Sequence, residues 1–316
     1  MSSAPAKQGR AGLWLRIGGT VLTVALIAWL LQKQGWASIA AALAMIAPWQ
    51  LALAMALTFL SRLAVVLRWH VLLRAAGEPV TLSNSTRLTF AGLFASNFLP
   101  TTVGGDVVRL AGAVQLRFDA AASAASLVVD RLVGMAGMAT LLPIGLARLI
   151  QSGLDFSTLS LSAAFFRHDK VQKLRALFSR LARKFVDSLK LSLRHPRSLI
   201  VAYLYTLLYM AFKFTAIWLM LRGMGQAVSW WTVAGLWSMV YFITLIPISM
   251  NGYGLQEIAV TVLYPQLGGI SLEASLAVAL LIRTMEMAAS LPGALFVPGI
   301  LAAQRQSGQG AASAVK

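Results

Sequence analysis

Ser96-Asn97-Phe98-Leu99-Pro100-Thr101-Thr102-Val103-Gly104-Gly105-Asp106-Val107-Val108-Arg109 interrupts a chain that is otherwise built of long apolar runs. Leu88 to Leu99 is too short to cross a bilayer, which takes about 20 apolar residues. Pro100 and the Gly104-Gly105 pair stop any helix there. A second short run, Asp106 to Leu116, follows. Two half-length segments around a Pro/Gly break predict a re-entrant hairpin or one broken helix. The motif recurs in outline: Pro247 is followed by Asn251-Gly252-Tyr253-Gly254 and Glu257, and then by another short run, Leu255 to Tyr264. Pro100 leads Gly104-Gly105 by the same offsets as Pro247 leads Asn251-Gly252. Each break precedes a span with buried charge, Asp130-Arg131 in one case and Arg283 with Glu286 in the other. This is the layout of a duplicated unit.

Around these breaks lie longer apolar segments. Candidate spans are Gly12–Gln32, Trp49–Leu73, Ala120–Leu142, Pro143–Phe166, Ser198–Leu221 and Ala274–Leu301, with Val228–Ile246 leading into the second break. Arg148 and Asp155 make Pro143–Phe166 the weakest of them. Trp36–Ala47 reads as interfacial. The apolar run of Gly12–Gln32 and the spans after it favour a membrane helix over a cleaved leader. The expected fold is therefore all-α: about six full transmembrane helices plus two re-entrant half-helix hairpins.

Composition excludes most other classes. Of 316 residues 58% are hydrophobic and 12% charged, about half the charge of a soluble domain, so a water-facing surface cannot be covered. Zero cysteines exclude disulfide scaffolds, thiolate metal sites and thiol enzymes. His70, His168 and His195 lack metal-ligand spacing, and no metal or cofactor is expected. No G-x-x-x-x-G-K-[ST] run exists for nucleotide hydrolysis. The formal charge of +17 would suggest nucleic acid in a soluble protein. Here it marks cytoplasmic loops against anionic lipid, and no nucleic-acid partner is expected.

Positive charge also sets orientation. Lys7, Arg10 and Arg16 place segment 1–11 in the cytoplasm, and Arg74 and Arg87 place the loop after the second span there. The stretch 167–197 carries ten Lys and Arg against Asp169 and Asp187, with Leu174, Leu177, Phe178, Leu181, Phe185 and Leu189 at helical spacing. It reads as an amphipathic basic helix on the cytoplasmic membrane surface. Three crossings then separate the hairpins, so they dip from opposite faces as inverted repeats. Residues 12–303 form the membrane domain and 304–316 a polar, disordered tail. Both termini are expected in the cytoplasm and the chain in the cell membrane. Trp36, Trp49, Trp69, Trp230 and Trp231 fall at span ends and read as interfacial anchors.

The chemistry lies in the charges. Asp106, Arg109, Asp130, Arg131, Glu257, Arg283 and Glu286 would together cost roughly 17–25 kcal/mol facing lipid, at about 2.5–3.5 kcal/mol each. They must line a polar interior. Asp106 and Arg109 share a helix face, as do Arg283 and Glu286. Adjacent Asp130 and Arg131 diverge by about 100° and should find partners on other helices. Half-helices beginning near Asp106 and Leu255 would offer free N–H groups and positive dipole ends. With Arg109, Arg131 and Arg283 converging, that makes a phosphate-binding cavity. Asp106, Asp130, Glu257 and Glu286 would balance the cations or bind a cationic headgroup. The competing reading is that the charges are neutralising pairs which only fix packing.

These residues also carry a family resemblance. Ser96 to Pro100 through Gly104-Gly105-Asp106 and Arg109, then Asp130-Arg131, then Pro247 with Asn251-Gly252-Tyr253-Gly254 and Glu257, resemble the lysylphosphatidylglycerol synthase transmembrane, flippase-like family. Arg68-Trp69-His70 with Leu72-Leu73-Arg74 resembles that family's second span. The resemblance covers Gly12 to about Leu301 and implies translocation of a phospholipid or lipid-linked headgroup between leaflets. In the best-known members the domain precedes an aminoacyl-transferase domain and moves the aminoacylated phospholipid. Stand-alone members, the form expected here, are associated with hopanoid and polyprenyl-linked lipids as well. No enzymatic activity is expected. Two alternatives stay open: an intramembrane lipid or sugar transferase, and a non-transporting accessory subunit of a lipid-biosynthetic enzyme. An intramembrane aspartyl protease fits poorly, because Val103 stands where its G-x-G-D motif needs glycine.

Overall fold

The computed structural model describes residues 36–98, 104–152, 196–246 and 252–300. They form nine α-helices: α1 (Trp36–Ala44), α2 (Pro48–Ala75), α3 (Leu82–Phe98), α4 (Gly105–Gln115), α5 (Ala120–Gln151), α6 (Pro196–Gly223), α7 (Trp230–Thr244), α8 (Leu255–Gly268) and α9 (Leu272–Ser290). A 3-10 turn, Leu291–Leu295, and a last helical turn at 297–300 close the described chain. Helices α2, α5, α6 and the stretch Leu272–Leu295 are long and apolar enough to cross a membrane. Their outer faces expose Leu53, Leu60, Ile200, Leu204 and Leu207. This is a polytopic helical membrane protein.

Local sequence explains the helix starts. Pro48 occupies the first position of α2, where its missing N–H is not needed. Asp119, Ser229 and Ser271 cap α5, α7 and α9 by accepting from Ala122, Thr232 and Ala274 backbone N–H groups. The α9 segment ends as an α-helix at Ser290, so the expected span to Leu301 is shorter, with Pro292 inside the turn that follows.

Side-chain contacts fix the helix directions. One end of the bundle gathers the C-terminus of α2 and the N-termini of α5 and α6, through Trp69 with Ser126 (3.1 Å) and the cluster of Leu72, Val129, Val133 and Ala202. At the second end Gln50 of α2 lies against Gly223 of α6, and Arg148 of α5 donates to Thr232 of α7 (3.1 Å). Helix α2 is thus antiparallel to α5 and α6. Those two run parallel, since Gly137 further along α5 packs against Thr206 and Met210 further along α6.

The half-length helices pair as two hairpins. In the first, Gly112 packs on Leu88 and Gly105 on Gly92, so α3 and α4 enter from the first end and return to it. In the second, Gly252 lies near Thr244 and Gly268 near Leu236, so α7 and α8 enter from the second end, where Gln226 Oε1 accepts from Ser271 N–H (3.0 Å). Their inner tips meet: Tyr253 O–H donates to the Asn97 carbonyl (2.5 Å).

The division of spans at Leu142/Pro143 is corrected. Helix α5 runs 32 residues, about 48 Å, straight through Pro143 to Gln151. Proline is tolerated inside membrane helices where neighbours and Ser/Thr side chains meet the freed backbone groups. Beyond Pro143 the helix stays docked, with Gly145 on Gly235 and Arg148 on Thr232. Helix α5 ends at the second end of the bundle and α6 begins at the first. Gly12–Gln32, most of Pro143–Phe166, residues 167–195 of the basic stretch and the tail 304–316 lie outside the described residues. Trp69 is also corrected: it is fully buried with its N–H on Ser126, whereas Trp49 and Trp231 are exposed as anchors would be.

Candidate functional site

The first hairpin places its charges beside α5. Gly105 has no room for a side chain, because a Cβ there would strike the Gly92 carbonyl and the Ser96 hydroxyl. That closeness brings α4 against α3, with Gly105 N–H donating to Ser96 Oγ (2.9 Å). Asp106 and Arg109 then sit one turn apart on α4 and pair at 3.2 Å. Asp130 on α5 is 1% exposed and accepts from Arg68 Nε (2.7 Å) and, more loosely, from Arg109 (3.3 Å). Arg131 points away from Asp130 and binds Asp106 through Nε (2.7 Å). So adjacent Asp130 and Arg131 do find partners on different helices.

The second hairpin repeats this arrangement. Gly252 and Gly254 have φ of 72° and 77°, a left-handed backbone that glycine adopts without penalty, and they turn the chain into α8. Glu257 in the first turn of α8 accepts from Arg283 Nε (2.7 Å), as Asp106 accepts from Arg131. Glu286, one turn beyond Arg283, bridges Arg62 (3.0 Å) and Lys213, as Asp130 bridges Arg68 and Arg109. Each half-helix therefore meets its own positive end with a first-turn carboxylate, and each carboxylate is held by an arginine of the next long helix. Each cluster counts three cations against two carboxylates.

A cavity of about 160 Å³ opens on the first cluster, lined by Arg62, Arg68, Arg109 and Arg131 with Asp106 and Asp130. Tyr209 and Tyr241 complete its wall from α6 and α7. Arg109 is 6% exposed and lies over the Trp69 ring at 4.1 Å. Its Nε and Nη2, and Nε of Arg62, are buried with no hydrogen-bond partner among the described residues. A buried donor left unmet costs about 1–3 kcal/mol, more when charged. Arg131 is different, with 61% of its side chain exposed, so it stands at the rim.

The structure thus joins Asp106, Arg109, Asp130 and Arg131 in one site. It does not bring Arg283 there. Arg283 lines the second cluster with Glu257, stacks on the Tyr253 ring at 4.4 Å and donates to the Gly252 carbonyl (3.4 Å). Gly104 precedes α4, and a Cβ there would meet no described atom within 4 Å; Pro100, Pro247 and Asn251 lie outside the described residues. Arg62, Arg68 and Lys213 belong to the clusters although the expected set omitted them. Their signal was present, since each interrupts an apolar span at the same insertion cost as the others.

A helical membrane protein with paired charges at the tips of two opposed half-helix hairpins is the class that fold and site define. The lysylphosphatidylglycerol synthase TM region family model matches residues 16–293, and the chain belongs to that family. No curated protein matches the chain. The family ties it to membrane lipid.

Proposed function

We propose that the chain moves a lipid with an anionic phosphate headgroup between leaflets, holding the phosphate in the cavity between α2, α4 and α5. The observation that carries this reading is Arg109, a buried guanidinium two of whose nitrogens have no hydrogen-bond partner among the described residues, on the wall of a cavity whose arginines outnumber its carboxylates. A phosphate accepts such donors in fork geometry, which lysine or a neutral amide does not reproduce. The cavity suits a phosphate-sized group, so the acyl chains stay in the bilayer, reached past the exposed Arg131 and the apolar flanks Val107 and Val128.

Topology supports the movement. The first end carries Arg74, Arg87, Arg117 and Arg197, which makes it the cytoplasmic face by the positive-inside rule. The α3–α4 hairpin then dips from the cytoplasm and the α7–α8 hairpin from the far side.

Reconstitution tests the proposal. Vesicles containing the purified chain and a trace of headgroup-labelled phosphatidylglycerol are treated with an impermeant quencher. Wild type should expose inner-leaflet label that empty vesicles protect, and Arg109→Gln should not. Wild-type vesicles that protect their inner leaflet like empty ones would refute the reading and favour an accessory role.

A further inference from the structure

We infer that a groove at the first end of the bundle, between α3, α4 and the segment after α9, binds one anionic phospholipid, its phosphate on Arg87 and its chain along the apolar floor. The groove measures about 420 Å³ and is separate from the midplane cavity. Its floor is Leu88, Leu116, Phe296 and Ile300, and its polar rim is Arg87 and Asn84. An apolar floor under a cationic rim matches an amphiphile whose charge is negative.

Three observations identify that amphiphile as membrane lipid. The groove adjoins an outer face of α4 that exposes Val107 and Val114, so it continues a surface built to meet hydrocarbon. It lies where the chain turns between helices and where Arg74 and Arg117 also emerge, the level of phosphate headgroups. And its cation is free: Arg87 is exposed and has no hydrogen-bond or ion-pair partner among the described residues. The acids of this end are turned elsewhere, since Glu78 accepts from Asp119 N–H (3.1 Å) and Asp119 from Ala122 N–H (2.7 Å).

Space for the chain is real. A Cβ at Gly299, on the groove wall, would meet no described atom within 4 Å, so a larger residue can be introduced there. Gly112 on the floor is tight, because a Cβ there would strike Leu88. The inference does not depend on what occupies the midplane cavity.

The chain has no cysteine, so a single reporter can be placed at the rim. Leu295 is 80% exposed beside the groove, and Leu204, 56% exposed on α6, serves as control. Each, as a lone cysteine carrying a small fluorophore, is placed in phosphatidylcholine nanodiscs containing a minority of spin-labelled phosphatidylglycerol or spin-labelled phosphatidylcholine. At Leu295 the anionic lipid should quench at about fivefold lower mole fraction, the worth of one arginine at a lipid surface. Arg87→Gln should abolish that preference, Arg87→Lys should keep most of it, and Gly299→Phe should remove it by filling the groove. At Leu204 the two lipids should quench alike. Equal quenching by both lipids at Leu295 would overturn the inference, as would a preference that survives Gly299→Phe.

Discussion

Arg109→Gln separates binding from packing because of how the acids around it are shared. Arg109 touches Asp106 at 3.2 Å and Asp130 at 3.3 Å, both long contacts. Each acid has a closer partner at 2.7 Å, Arg131 for Asp106 and Arg68 for Asp130. Removing Arg109 therefore strands neither carboxylate. The expected loss of stability is about 1.5–3 kcal/mol, the net worth of a charge-assisted hydrogen bond. Arg68→Gln is the contrasting variant: it leaves Asp130, 1% exposed, with only the loose Arg109 contact. Breaking a buried pair in this way costs about 3–5 kcal/mol. Thermal unfolding of both variants in one detergent, followed by size-exclusion chromatography, should rank Arg68→Gln well below Arg109→Gln. Phosphate-headgroup binding should nevertheless fall about 10–100-fold in Arg109→Gln, since the ligand loses charge-assisted donors. Equal destabilisation of the two variants would refute the argument and make Arg109 a packing cation. A double variant, Arg109→Gln with Asp106→Asn, that is stable and fully active in translocation would refute the phosphate site.

Glu286→Gln leaves Arg62 and Lys213 without their shared carboxylate and should lower expression and thermal stability sharply, with partial recovery when Lys213→Met removes one stranded cation; unchanged stability of the single variant would count against the pairing. Gly105→Ala should force α4 from α3 and destabilise the hairpin, whereas Gly104→Ala, whose Cβ would meet no described atom within 4 Å, should be tolerated in the same unfolding assay. Single cysteines at Ala76 and Ala227, at opposite ends of the bundle, should label from opposite sides, Ala227 in intact cells and Ala76 only after lysis; the reverse pattern would invert the orientation.

The hairpins were legible because their signal is local. Pro100 and the Gly104-Gly105 pair break a helix in any context, and Gly252 and Gly254 occupy backbone that other residues rarely adopt. Arg131 with Asp106, and Arg68 or Arg109 with Asp130, could be anticipated only as unnamed partners, since helix spacing gives a face and never the neighbour opposite it. Pro143 misled for the converse reason. Its helix-breaking tendency is local, and docking of Gly145 and Arg148 on α7 overrides it. Arg283 does not converge with Arg109 and Arg131 as the sequence led one to expect. It does mirror Arg131, binding a first-turn carboxylate through Nε at the same 2.7 Å, but the mirror image lies in the other cluster. Trp69 looked like an end-of-span anchor from position alone; its ring instead supports Arg109.

Helix α2 belongs to neither hairpin and yet supplies one arginine to each cluster, Arg62 to Glu286 and Arg68 to Asp130. Six residues of helix separate them, an axial rise of about 9 Å. That rise is a fixed ruler laid across the middle of the protein. On the proposed path an anion leaving one arginine would already feel the charge of the other, so it would not stand unaccompanied in a low-dielectric interior, where separating opposite charges is most expensive. The ruler also couples the clusters mechanically. A slide or rotation of α2 that draws Arg68 off Asp130 carries Arg62 with it, so a movement of this one helix is felt in both clusters.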